Sequence, residues 1–404
     1  MTGKEITAGH RINESDDIVN ERSRFQTGNV VLISLTHLLH DIYTSFLAPL
    51  LPLFIAKHNL SLTLSGVLAV VQRIPSLFNP LIGIMAERVK VRYFVIFAPA
   101  ITTVAMGLTG IAPTYSALVV LIFVSGIAST MFHVPAPVIV KKISGDRTGM
   151  GMSFFMLGGE LARTVGPLAI VAAAEIWGLK GTLKMIPFGL AASFVLWIKL
   201  RHTPIQDEIR RDGVKINYPG LFVKFLPVFI SLAGITFFMG AMKSSLTLYL
   251  PVYLTGKGSE LWMAGVSLAA LQLAGAAGTF YSGTLSDKIG RRTTLVIVVI
   301  ATPILLLLFL KSSGVASFFL LIAMGFFLIA PQSVNLAVIH DLKTVHLPFV
   351  NGVYMMINFF INSVMTLGVG ALADRIGMEK TFAFAAIMGF GAVIFALKVP
   401  EKES

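Results

Sequence analysis

Long apolar runs separated by short polar breaks dominate the chain from residue 29 onward. A helix needs about 20 consecutive apolar residues to cross the hydrocarbon core of a bilayer, and the runs meet that length repeatedly. They predict spans at 29–56, 63–85, 93–112, 114–140, 150–174 and 180–200, then at 221–254, 261–284, 293–311, 314–340, 348–372 and 378–398. Between the two sets lies RHTPIQDEIRRDGVKINYPG, Arg201 to Gly220, the longest polar stretch after the N-terminal tail. The expected division is a polar cytoplasmic tail over 1–28, a six-helix bundle over 29–200, a cytoplasmic linker over 201–220, a second six-helix bundle over 221–398 and a short tail over 399–404. Met1 to Gly28 shows no apolar h-region and no small-residue cleavage site, so no cleavable signal peptide is expected and the first span directs insertion. The predicted class is an all-α integral membrane protein with twelve transmembrane helices in two six-helix halves.

Composition agrees with the pattern. Of 404 residues, 55% are apolar and only 13% are charged, and the mean hydropathy is +0.82. Soluble domains carry about 25% charged residues, so a water-soluble globular enzyme is not expected. Twelve spans take roughly 240 residues, which leaves no room for a separate soluble domain. The formal charge of +12 raises the question of nucleic acid. With both termini inside, 22 of the 32 Lys and Arg fall on the inner side, 7 on the outer side and 3 within spans. That asymmetry places both termini in the cytoplasm, and it explains the basic balance through the bilayer rather than through nucleic acid. The chain has no cysteine, which removes thiolate metal sites and cysteine nucleophiles. There is no phosphate-binding GxxxxGK loop and no HExxH spacing, and the scattered histidines are expected to form no metal cluster, so no cofactor is expected.

The halves repeat at an offset near 200. LAPLLPLFI (Leu47 to Ile55) aligns with LTLYLPVYL (Leu246 to Leu254), GIMAERVKVR (Gly83 to Arg92) with GTLSDKIGRR (Gly283 to Arg292), and AAAEIWG (Ala172 to Gly178) with ALADRIG (Ala371 to Gly377). GTLSDKIGRR matches the signature that the major facilitator superfamily carries between its second and third spans and again between the eighth and ninth. The sequence therefore resembles that superfamily over essentially its whole length. The resemblance implies the major facilitator fold, transport by alternating access with a substrate site between the halves, and a monomer in a bacterial cytoplasmic membrane. In the second copy Gly283 is expected to let helices approach closely, Asp287 to end its span, and Lys288, Arg291 and Arg292, around Gly290, to face anionic headgroups while a charge network holds the cytoplasmic side shut. The first copy keeps Gly83, Arg88 and Arg92 and has Glu87 where the second has Asp287.

The fifth span carries GGELARTVGPLA, which resembles the glycine- and proline-rich segment of the superfamily's antiporters. Gly158, Gly159 and Gly166 offer close packing, and Pro167 removes a backbone donor, so this helix is expected to bend against its neighbour. HLLHD in the first span, Phe132–His133 and GDRTGMGMS (Gly145 to Ser153) look like the fosmidomycin-resistance group of the superfamily. This resemblance implies efflux in exchange for protons.

Ionisable groups inside spans cost about 2.5–3.5 kcal/mol each on insertion scales, so each is a candidate for function. The candidates for proton coupling or the substrate cavity are His37, Asp41, Gln72, Arg73, His133, Glu160, Arg163 and Lys243. Asp41 is read either as a proton carrier or as a fixed partner of Arg73, which could also clamp an anionic group. Glu160 and Arg163 lie three apart and can pair or bind substrate. His133 serves as a ligand or as a packing residue, and His40 is expected to point away from the cavity that His37 faces. Asn358 with Asn362, and Gln332 with Asn335, are expected to bond between helices. The expected partners are a small-molecule substrate, protons and the bilayer. The leading reading is proton-coupled efflux of a small polar or amphipathic organic solute. Import of an organic anion, suggested by Arg73, Arg163 and Lys243, and a non-transporting sensor or lipid or assembly factor on the same fold are the alternatives.

Overall fold

The computed structural model describes residues 25–79, 92–201, 218–342, 344 and 347–401, and among them it contains helices and no strand. The first half comprises α1 (Thr27–Thr44), α2 (Leu47–His58), α3 (Leu62–Arg73) with a 3-10 extension over Ile74–Phe78, α4 (Arg92–Leu108), α5 (Tyr115–His133), α6 (Ala136–Ile143), α7 (Thr148–Trp177) and α8 (Ile186–Leu200). The second comprises α9 (Tyr218–Thr247), α10 (Leu250–Gly256), α11 (Leu261–Ile289), α12 (Arg291–Lys311), α13 (Gly314–Ile329), α14 (Pro331–His340), α15 (Leu347–Ile376), α16 (Met378–Gly389) and α17 (Ala392–Ala396). Eleven helical stretches are long and apolar enough to cross a membrane. The second expected span, described over Leu62–Phe78, is shorter, and residues 80–91 lie outside the described set. The linker segment 202–217 and the tail residues 1–24 lie outside it too.

Several spans are built from two helices, and proline sets the break. A proline cannot donate to the carbonyl four residues before it, so that carbonyl ends a helix. Pro49 falls four residues after Ser45, the C-cap of α1; Pro137 falls four after His133, the last residue of α5; and Pro251 falls four after Thr247, the last residue of α9. Pro331 opens α14 at its first position. The breaks in the first and fourth spans bring the C-terminal ends of α1 and α5 into the interior, with Asp41 and His133 on them.

Large apolar side chains such as Ile176, Phe280, Val315 and Phe360 are exposed on the outside of the bundle. In water this surface would be an aggregation hazard; in a bilayer it is the solvent-facing side. The interior is a continuous apolar core that runs through both halves, from Tyr43 and Phe54 to Tyr249 and Phe382.

The halves meet through α3 against α15, α7 against α11, and α2 against α10 and α11. The close approaches lie at the end of the bundle remote from the chain termini, here called the distal end. A Cβ on Gly66 would lie 2.6 Å from the Tyr249 hydroxyl, one on Gly370 would lie 2.7 Å from the Leu62 carbonyl oxygen, and one on Gly265 would lie 2.8 Å from Val171 Cγ2. Hydrogen bonds between described residues of the two halves are all at this end.

Candidate functional site

The C-terminal turns of α1 carry His37, His40 and Asp41, and the packing of α1 on α7 and α5 decides what they touch. Asp41 accepts from His133 Nε2 at 3.0 Å through Oδ1, and its Oδ2 lies 3.2 Å from His37 Nε2. The other ring nitrogen of His37, Nδ1, donates to the Phe155 carbonyl at 2.7 Å, and the imidazole stacks on the Phe155 ring at 4.0 Å. Gly159, one turn along α7, makes room for that ring: a Cβ there would lie 2.6 Å from His37 Cε1. His37 and Asp41 are buried, whereas the His133 side chain is 37% exposed and opens the group to the interior.

These contacts fix a tautomer. A carbonyl only accepts, so Nδ1 of His37 carries hydrogen. In neutral imidazole Nε2 would then offer a lone pair to a carboxylate oxygen, two acceptors face to face. The contact is attractive only if a proton sits on His37 Nε2 or on Asp41 Oδ2.

Three expectations are corrected here. Asp41 is not paired with Arg73; His37 and His133 take both carboxylate oxygens, because the break in the fourth span brings His133 back over α1. His40 does not turn away from His37. Three residues are 300° of helical rotation, which leaves the two only about 60° apart, and both rings pack on Phe132, at 4.7 Å for His40 and 5.7 Å for His37. Among the described residues the two ring nitrogens of His40 find no hydrogen-bond partner. The histidines are also not scattered: one nitrogen each from His37 and His133 and an oxygen of Asp41 lie within 4.8 Å of one another.

A second polar group lies on α3, α7 and α9. Arg163 Nη1 contacts Glu160 Oε1 and Oε2 at 3.2 and 3.4 Å, so the expected pair forms within α7. Arg73, at the end of α3, and Lys243, on α9, lie within electrostatic range of Arg163 and of each other, and Lys243 also of Glu160. Arg73, the last residue of α3, is exposed. Gln72, beside it, donates to the Thr44 carbonyl at 3.0 Å and ties α3 to the end of α1.

The fifth-span glycines seat α7 against α1. A Cβ on Gly158 would lie 2.4 Å from the Ser34 carbonyl oxygen, and one on Gly166 would lie 1.9 Å from Ser45 Oγ. Pro167 lies inside α7, which is one helix over 30 residues.

At the end near the termini, the second signature copy is knit within its own half. Gly290, at φ +93°, makes the turn between α11 and α12, and the buried Arg291 binds Asp287 at 2.7 Å, Asp341 at 2.9 Å and the Ser286 hydroxyl. Arg292 donates to the Val399 carbonyl at 3.0 Å and contacts Glu401 at 3.5 Å. Lys288 is exposed. A Cβ added to Gly283 would meet no described atom within 4 Å, so the expected close approach is not made to any described residue. Gly83, Glu87 and Arg88 lie outside the described residues, and α4 begins at Arg92. The asparagine expectation also changes, because Asn362 donates to the Asn358 carbonyl at 2.7 Å and Asn358 to the Tyr354 hydroxyl at 3.3 Å, all within α15.

A feature that sequence reasoning missed closes the distal end. Asp374, on α15, accepts from the Leu62 amide at 2.7 Å, the Thr63 amide at 2.9 Å and the Thr63 hydroxyl at 2.6 Å. These are the first amides of α3, whose N-cap Ser61 accepts from Leu64. A carboxylate of one half thus completes the N-terminal cap of a helix in the other. Tyr249 adds a bond to the Leu62 carbonyl at 3.0 Å. The available signal is the ALADRIG repeat, which by itself shows only a duplication.

Comparison with known proteins gives consistent findings. A family model described as Major Facilitator Superfamily matches residues 33–341 and 268–404. The fosmidomycin resistance protein of Escherichia coli (strain K12) is 23% identical over 381 residues, 91% of each chain. An uncharacterized MFS-type transporter, YfnC of Bacillus subtilis (strain 168), is 20% identical over 383 residues, 92% of this chain and 93% of the other. Among solved structures, a bacterial homolog of the human lysosomal transporter Spinster, inward-facing and unoccupied, superposes with a TM-score of 0.78 at 15% identity, covering 93% of this chain and 96% of that one. A D-xylose–proton symporter superposes with a TM-score of 0.77 at 13% identity, covering 94% and 99%.

Proposed function

Because the chain belongs to the Major Facilitator Superfamily, we propose that it is a secondary active transporter that moves a small polar or amphipathic organic solute by alternating access, outward in exchange for protons. With both termini in the cytoplasm, the distal end faces outside. The cross-half contacts at the distal end support an inward-facing state, in which the interior polar groups meet cytoplasmic water.

The observation that carries the coupling is the contact of His37 Nε2 with Asp41 Oδ2 at 3.2 Å, given that His37 Nδ1 already donates to Phe155. The proton on this contact joins α1 to α7 through His37 and to α5 through Asp41 and His133. When the proton leaves through the half-exposed His133, a lone pair faces a carboxylate and the contact turns repulsive. Protonation and the packing of α1 are thereby linked, which is what exchange of a proton for cargo requires. Gln72 positions α3, and the glycines of α7 allow α1 and α7 to slide at close range. The outward direction is supported by the glycine–proline segment of α7 and by the resistance named for the Escherichia coli relative.

The test uses purified protein in liposomes with an internal pH-sensitive dye. Substrate-driven proton movement is expected, and Asp41→Asn abolishes uphill transport while some exchange down a gradient remains. Unchanged uphill transport with unchanged pH dependence in that variant overturns the assignment of Asp41. A second reading, import of an organic anion with protons, is favoured by the three cations Arg73, Arg163 and Lys243. Accumulation in right-side-out but not in everted energised vesicles selects it.

A further inference from the structure

His37, Asp41 and His133 bring two imidazoles and a carboxylate together inside the first half. Oδ2 and Oδ1 of Asp41 lie 3.2 Å from His37 Nε2 and 3.0 Å from His133 Nε2, and one ligand atom from each of the three residues lies within 4.8 Å of the others. Among the described residues no other three histidine or acidic side chains group in this way. Zinc holds nitrogen and oxygen ligands at about 2.0–2.2 Å, which in a tetrahedron sets neighbouring ligand atoms about 3.3–3.6 Å apart. The two measured pairs fall a few tenths of an ångström inside that spacing. The surroundings also suit a ligand set. His37 Nδ1 donates to the Phe155 carbonyl at 2.7 Å, which leaves the Nε2 lone pair on the side of Asp41. A histidine that ligates a metal is commonly held in this way, by a hydrogen bond from its second nitrogen to a backbone carbonyl. His37 and Asp41 are buried and so fix two ligands, whereas the part-exposed His133 has room to turn and leaves a way in from the interior. Imidazole with carboxylate favours zinc, cobalt or nickel over magnesium and calcium, which prefer shells of oxygen.

We infer that His37 Nε2, His133 Nε2 and an oxygen of Asp41 form a binding site for a divalent transition ion of the zinc type, with its fourth position open to the interior. Such an ion takes the imidazole and carboxylate lone pairs that otherwise face each other, and so relieves the same clash of acceptors that a proton relieves. Two ligands come from α1 and the third from α5, while α7 holds His37 through Phe155. An ion in this site therefore clamps three helices of the first half in their present arrangement. The inference needs only these side chains and depends neither on transport nor on its direction. His40 is the natural control: its ring stacks on Phe132 at 4.7 Å and lies 5.6 Å from that of His133, but it is not one of the three grouped ligands.

The test titrates full-length protein in detergent micelles, purified without a polyhistidine tag and stripped of metal by a chelator, with zinc and separately with cobalt(II). One zinc ion per chain is expected, together with a raised thermal midpoint, because an ion that binds the folded state alone stabilises it. Bound cobalt is expected to show the intense visible absorption of a tetrahedral shell in place of the weak bands of the hydrated ion. His37→Gln, Asp41→Asn and His133→Gln each weaken zinc binding by at least about tenfold, since loss of even an outer-shell partner costs roughly 10- to 100-fold. Each also removes the tetrahedral cobalt spectrum. His40→Phe keeps an aromatic ring against Phe132 and leaves both readouts as they were. Magnesium in roughly thousandfold excess does not displace the zinc. The metal-free thermal midpoint shows whether each variant is folded, and the cobalt spectrum of the unaltered protein is decisive without any variant. No zinc binding, an octahedral cobalt spectrum, unchanged affinity in any folded variant of the three ligands, or an equal loss in His40→Phe overturns the inference. The titration involves no gradient and no cargo. Failure of proton coupling in liposomes therefore leaves the metal site standing, and failure of the metal site leaves coupling at Asp41 untouched.

Discussion

In the first half, α1, α3, α5 and α7 bring His37, Asp41, Arg73, His133, Glu160 and Arg163 toward the interior, whereas the second half contributes Lys243 and otherwise neutral groups such as Tyr354, Asn358 and Asn362. Both halves have the same sequence of spans, and both have a proline-set break in their first. What differs is what the break exposes: in the first span it brings a carboxylate beside two histidines, and in the seventh it places Tyr249 in the distal closure. A duplicated scaffold needs two matched lever arms for alternating access, but it needs only one place for a proton. On the proposed reading the proton group lies in the first half, at Asp41 with His37 and His133, and the second half supplies the surface that closes against it at the distal end.

The glycines sharpen this contrast most strongly. Gly158 faces a backbone carbonyl on α1 that cannot rotate aside, whereas a Cβ on Gly283, on α11, would meet no described atom within 4 Å. Gly158→Val is expected to destabilise the protein by about 1–3 kcal/mol through overpacking, read as a lowered thermal midpoint in micelles. Gly283→Ala is expected to be neutral or to stabilise by about 0.5–1 kcal/mol, because alanine replaces glycine inside a helix. Equal stability of the two variants would mean that the contact of α1 with α7 is not tightly fitted, and the link from proton to helix packing would lose its basis.

The next contrast lies at the distal end. Asp374 and Glu175 occupy equivalent places in the repeated segments, each three residues before a glycine with positive φ, Gly377 and Gly178. Asp374 caps α3 across the interface; Glu175 is exposed and α11 has no side-chain cap. Asp374→Asn turns an amide nitrogen toward one of the donors and is expected to weaken the closure by about 1.5 kcal/mol, near tenfold in population. Because the chain has no cysteine, spin labels on Ala56→Cys and Gly256→Cys report the separation of α2 and α10 directly. The long-distance population should rise in Asp374→Asn and stay unchanged in Glu175→Gln. Opposite behaviour would transfer the latch to the other pair of helices.

Much of the architecture is legible in the chain because a bilayer imposes one rule: apolar runs of sufficient length become helices. The proline breaks follow from a missing donor, and the Glu160–Arg163 pair follows from helical spacing. The partners of Asp41 do not, because His133 lies 92 residues away and reaches it only through a break in another span. The direction of His40 is legible in the helix itself, since three residues leave it about 60° from His37; that both rings pack on Phe132 of α5 is not. The asparagines of α15 bond along their own helix because a side chain four residues back is nearer than a neighbouring helix. The cap of α3 by Asp374 spans 312 residues and depends on how the halves meet, which no local pattern contains.

Glu379 provides the smallest expected effect and the strictest control on the latch. It lies five residues after Asp374, at the same end, and it bonds Lys257 from the loop between α10 and α11. Both side chains are about half exposed, and both belong to the second half, so the pair cannot resist separation of the halves. The hydrogen bond and charge of Glu379 hold the Lys257 ammonium above its ordinary value. A raised group contributes fully below its unfolded value and loses that contribution only as pH climbs through the raised one. From about pH 5 to 9 the pair is therefore constant, and Glu379→Gln should change neither the thermal midpoint nor the spin-label distances anywhere in that range. If it opened the distal end as far as Asp374→Asn does, the closure would depend on general acidity at that surface and not on a carboxylate seated on the first amides of α3.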